Sequence, residues 1–143
     1  MTERQQKAEA YLKKYEAAVD YIRRCEREYE DELIQIDAVR SPSDNDGMPH
    51  GNGTSDPTAD KAVRLLSKAE RIMDAKLEAI RIRQEVFDTI MLLDGLEADV
   101  LLERYVYLSK WEDVCLSVNY SWHPVRLAWH RGLDRIKDII DTR

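Results

Sequence analysis

Between Ser121 and Arg131 the chain carries two arginines, two histidines and no carboxylate. Guanidinium groups without acidic neighbours suit phosphate, or a two-pronged hydrogen bond to the edge of guanine. A helix turns by about 100° per residue, which sorts these side chains into faces. With Val125 pointing inward, Ala128, Trp129, Gly132, Leu133, Ile136, Ile139 and Ile140 share its arc. His123, Leu127, His130, Arg131 and Asp134 then point outward, with Arg126 on the border. In that frame Arg126 suits guanine, Arg131 suits phosphate and Leu127 suits a thymine methyl. Ser121, Trp122, His123, Arg126, Leu127, His130 and Arg131 form the expected DNA-contacting set. A solvated face of a helical bundle accounts for the same residues about equally well.

Such a helix needs a start and a scaffold. Ser121 is a natural N-cap, which makes Trp122 the first helical residue and Pro124 the third. A first-turn proline costs no intrahelical hydrogen bond, although it disfavours helical geometry at His123 and could delay the start to Pro124 itself. Upstream, Trp111, Val114, Cys115 and Val118 fall at i, i+3, i+4 and i+7, the apolar face of a short helix. Before that, Leu101, Tyr105 and Leu108 mark one face of another. Three helices in under fifty residues, the last two joined by Asn119, Tyr120 and Ser121, predict a helix-turn-helix unit over 96–143. Trp129 is expected in its core. Trp122, at the turn, fits either role.

The remainder, 1–95, reads as a helical hairpin. From Thr2 to Arg40 there is no Gly and no Pro, which predicts one rod roughly 55 Å long. Tyr11, Tyr15, Ala18, Ile22, Cys25 and Tyr29 alternate steps of four and three, the seam of a coiled-coil-like helix. Residues 41–56 are rich in Pro, Gly, Asn, Asp and Ser and predict an irregular loop. Asp56 is placed to cap a second helix that begins at Pro57 and runs to about Leu93, where Asp94-Gly95 ends it. Leu66, Met73, Ile80 and Phe87 recur every seven residues along it, with Ala69, Leu77 and Ile90 between. That stripe fits the first seam within the chain and the same seam in another subunit equally well. The fold class is therefore all-α: a long coiled-coil-like hairpin followed by a three-helix helix-turn-helix unit.

Composition narrows the function. The chain has 143 residues, 43% apolar and 35% charged, with a net charge of −6. It is globular, and it cannot coat nucleic acid or anionic membrane by bulk charge. Residues 96–143 hold seven basic and eight acidic side chains, so one such unit would bind DNA weakly. Dimerisation through the long helices would double the contacts, so a homo-oligomer is expected, with a dimer favoured. No apolar run reaches membrane-spanning length. Two distant cysteines, Cys25 and Cys115, and no secretory signal point to reduced thiols and a cytoplasmic setting. Asn52-Gly53-Thr54 forms a glycosylation sequon without consequence in that setting. There is no P-loop, no nucleophile elbow and no metal-ligand spacing, so no catalytic residue, metal or cofactor is expected. The acidic run Glu26–Glu32 reads as the wet side of a helix.

Two stretches carry a resemblance. KWEDVCLSVNYSWHPVRLAWHRGLDRI, Lys110 to Ile136, resembles region 4 of sigma factors. With the preceding Arg104-Tyr105 it is similar to the ArpU/RinA-like phage transcriptional regulators. GMPHGNGTSDPTADKA, Gly47 to Ala62, resembles a segment of the same family. Together they span about Gly47 to Ile140. The resemblance implies a phage or prophage regulator of Gram-positive hosts, all-helical, contacting double-stranded DNA through a sigma-like reader; RNA polymerase is a further expected partner. Pro124, Gly132, Cys115 and Trp129 depart from the pattern, which fits either a different reading surface or a degenerated one. Two other readings compete: a protein-interaction module that does not bind DNA, and a small-terminase-like packaging protein.

Overall fold

A computed structural model describes residues 1–39 and 57–143. The expected loop 41–56, with its sequon and the Asp56 cap, lies outside the described residues. The fold is all-helical. Among the described residues there are six α-helices: α1 (Glu3–Leu12), α2 (Lys14–Val39), α3 (Pro57–Ile90), α4 (Gly95–Leu101), α5 (Trp111–Val118) and α6 (Trp122–Asp141). A π-helical segment, Leu102–Val106, extends α4. None of these helices is long and apolar enough to cross a membrane. The chain divides into two compact units, Met1–Val19 with Glu78–Arg143, and Asp20–Leu77. These boundaries fall inside α2 and α3, and not at residue 95.

In the unit Asp20–Leu77, ion pairs tie α2 to α3. Lys68 Nζ lies 3.2 Å from Glu28 and 3.3 Å from Glu32, and Lys76 lies 3.2 Å from Glu26. The partner numbers run in opposite directions, so the two helices are antiparallel here. Cys25 is buried, with Ile22, Tyr29 and Ile36 half-buried on the same stripe. On α3 the covered positions are Leu65, Ala69, Ile72 and Ala75. Leu66, Met73 and Leu77 are exposed, so three members of the expected stripe lie outside this contact. The reason is composition: α3 has two apolar stripes offset around its axis. The covered one, Leu65, Ala69, Ile72 and Ala75, is half alanine, so it carries fewer large side chains than the exposed one.

In the unit Met1–Val19 with Glu78–Arg143, α1 is a helix in its own right. Its capping box is complete: the Thr2 hydroxyl accepts from the Gln5 N–H at 3.2 Å, and Gln5 Oε1 accepts from the Thr2 N–H at 3.1 Å. The expected unbroken rod is interrupted at Lys13 without a Gly or Pro. The break coincides with a change of packing face. Before it the buried positions are Gln5, Ala8 and Leu12; the half-buried run Tyr15, Ala18 and Ile22 follows another line. Ala8 and Leu12 join Val86, Ile90, Leu101, Tyr105, Leu133 and Ile136 in one core. Val100, Val114, Val125 and Ala128 form a second core that seats α5. Helix α3 stops at Ile90, earlier than Asp94-Gly95 implied; Gly95, at φ +64°, opens α4 instead. The π-helical segment brings Tyr105 and Val106 inward together. Leu108, expected on that face, lies past the helix end at φ +56°.

Candidate nucleic-acid interface

The turn into α6 is built by Asn119, which closes α5 in the left-handed conformation at φ +60°. Asparagine tolerates that region better than most residues. The Tyr120 N–H then returns to the Cys115 carbonyl at 3.2 Å. Helix α6 begins at Trp122, so Pro124 is its third residue and causes no delay. Ser121 holds the extended N-cap geometry, yet its side chain makes no capping hydrogen bond. Pro124 explains much of this. The N–H that a cap hydroxyl often takes, three residues on, is missing there. The Ser121 carbonyl still receives the Val125 N–H at 3.4 Å.

The inward face of α6 is Val125, Ala128, Gly132, Leu133 and Ile136, all buried, with Trp129, Ile139 and Ile140 half-buried. Trp129 donates its indole N–H to the Tyr105 hydroxyl at 2.9 Å, and burial pushes the Tyr105 phenol well above its usual range. Trp111 lies 4.6 Å from Trp129 and 5.2 Å from Trp122, centroid to centroid. Trp122 is thus propped edge-on against a ring cluster, although nearly half of it remains exposed. Arg104 caps the other side of that cluster, 5.1 Å over the Trp111 ring.

The outward set divides. His123, Arg126, Leu127 and Arg131 are exposed, and neither arginine makes an ion pair among the described residues. Arg131 and Leu127 line a shallow open cavity of about 320 Å³, together with Pro124, Gly95, Glu97 and Arg135. His130 and Asp134 do not point freely outward. Gln5 Nε2 of α1 donates to the His130 carbonyl at 3.4 Å and to Asp134 Oδ2 at 3.1 Å. Arg4 reaches the Asp134 carbonyl at 3.3 Å and pairs with Asp138. Helix α1 therefore covers one flank of α6, which a count of faces on α6 alone could not reveal. Burial, then the positive charge of Arg126, holds the His130 imidazole below its ordinary pKa.

Sequence reasoning passed over Arg4 and Gln5. Thr2-x-x-Gln5 is a readable capping box and signals a short helix start, but it does not say where that helix docks. On α5, Glu112 and Asp113 stand exposed in the first turn, beside Lys110. Carboxylates there repel phosphate. Cys25 and Cys115 are both free thiols. No group of His, Cys, Asp and Glu among the described residues is arranged to hold a metal. No family model, curated protein or solved structure matches the chain.

Proposed function

We propose that this protein is a transcriptional regulator of the phage or prophage type that binds double-stranded DNA through α6. The observation that carries the reading is the pair Arg126 and Arg131. Both are exposed on the first half of a rigidly seated helix, both lack an acidic partner among the described residues, and they flank exposed Leu127. Arg126 is assigned to a base edge, Arg131 to phosphate, Leu127 to a thymine methyl, and His123 to the rim. Ser121 and Trp122 shape the entry turn, and His130 supports the helix from its flank. The near-neutral charge of 96–143 makes one unit a weak binder, so the active form is an oligomer, with contact to RNA polymerase as a further source of affinity.

The test is selection of binding sequences from a random duplex library, followed by affinity against salt. Binding should weaken steeply with salt, and Arg126→Ala with Arg131→Ala should lower affinity by roughly tenfold or more per arginine and flatten the salt slope. Affinity indifferent to salt and to both substitutions would sink the assignment. A second reading, docking of a protein on the same unit, is favoured by Leu116, which is 75% exposed on α5. A stoichiometric protein complex that Leu116→Lys abolishes, with no DNA shift at low salt, would establish it instead.

A further inference from the structure

Among the described residues of the unit Asp20–Leu77, one helix face is without a partner. Val63, Leu66, Met73 and Leu77 of α3 are 67, 62, 59 and 59% exposed. Their spacing is three, seven and four residues, the alternating repeat of a coiled-coil seam in which Glu70 fills the remaining position. The stripe lies away from the face that Lys68 and Lys76 pin to α2. Single exposed hydrophobics need no explanation, but a run in seam register along four turns of one helix does.

We infer that this stripe is a self-association surface, taken by the same stripe of a second copy of this chain. Three observations favour that occupant. The spacing demands a helix carrying the same repeat, because a seam side chain fits only into a hole made by a matching helix. Among the described residues no other helix exposes such a stripe; Ile80 continues the repeat on α3, and the other exposed hydrophobics, such as Ile34 and Leu116, stand outside any repeat of that length. The size is also right. At about 60–120 Å² per large apolar side chain, eight side chains from two copies remove roughly 500–1,000 Å² from water. Flanking residues of the two helices add to that, reaching the range of about 1,000 Å² at which a specific interface begins. A two-fold arrangement closes the pair, since each copy offers the same patch. Glu70, in the middle of the seam, weakens the pair and leaves it reversible. The inference does not depend on whether α6 reads DNA.

Sedimentation of the full chain without DNA tests this directly. The protein should be dimeric at about 0.1 mM and dissociate on dilution. Leu66→Lys with Leu77→Lys should make it monomeric with unchanged helical circular dichroism, because both side chains are already exposed. Leu116→Lys, an equally exposed apolar position elsewhere, should leave the dimer intact. A wild-type monomer at that concentration overturns the proposal and leaves the stripe to a different helical partner. A dimer that survives the double substitution overturns it as well. Selected DNA can bind or fail to bind in either case, so the two readings fail independently.

Discussion

From Trp122 to Arg131, neither arginine of α6 has an ion-pair partner among the described residues; from Asp134 to Asp141 every charged side chain has a partner. Asp134 and Asp138 meet Arg4, Arg135 meets Asp94 and Glu97, and Lys137 meets Asp141. These pairs are exposed and each contributes at most about 1 kcal/mol. What seats the second half is burial: Leu133 and Ile136 are fully enclosed between α1, α3 and α4. The first half is held by a narrower base, Val125 and Ala128 against Val100 and Val114. One helix thus serves as anchor at one end and as a presented surface at the other.

The contrast breaks most clearly at the anchor. Ile136→Ala removes a fully buried side chain and should cost about 2–5 kcal/mol, read by denaturant unfolding followed through the Trp111–Trp122–Trp129 cluster. Arg126→Ala with Arg131→Ala should stay within about 0.5 kcal/mol of wild type in the same assay. If the arginine variant proved as unstable as the isoleucine variant, the first half would be structural and not a presented surface.

Gly132 sharpens the comparison because it lies where the two halves meet. Read from sequence, it is a poor helix former costing about 1 kcal/mol relative to Ala. In the fold, a Cβ at this position would stand 2.9 Å from Leu101 Cδ1 and 3.3 Å from Leu101 Cγ. Leu101 is fully buried and has little room to yield. Overpacking of this kind costs about 1–3 kcal/mol, which outweighs the propensity gain. Gly132→Ala should therefore destabilise by roughly 1 kcal/mol net. A stabilised variant would mean that Leu101 moves and that the approach of α4 to α6 is loose.

These two positions also mark how far the sequence could be read. Ile136 was legible because its inward place follows from helical periodicity, as do Val125, Ala128 and Leu133. The role of Gly132 was not, because close approach depends on which helix arrives from elsewhere in the chain. The same holds for His130 and Asp134: both fall on the outward arc of α6, but the arc is outward only until α1 docks on it. On α3, periodicity found an apolar stripe and could not say that a second, smaller one faces α2. Ser121 shows the converse, a residue type right for its place whose usual hydrogen bond is removed by Pro124 two positions beyond the first helical residue.

His130 gives the smallest expected effect and sits on the border of the two halves. Its imidazole is held below the ordinary value by burial and by Arg126, while Asp134 and Glu9 pull the other way. In the unfolded chain it returns to about 6.5. As pH falls through that value, the unfolded state takes up the proton first. Stability is then lost progressively down to the lower folded value, and it is fully present above the unfolded one. Unfolding at about pH 7.5 and about pH 5.5 should show a modest decline in wild type that His130→Gln reduces, with the carboxylate contributions common to both. Equal declines in the two proteins would place the imidazole in a water-like setting. The flank of the first half of α6 would then be open, with α1 confined to the anchor.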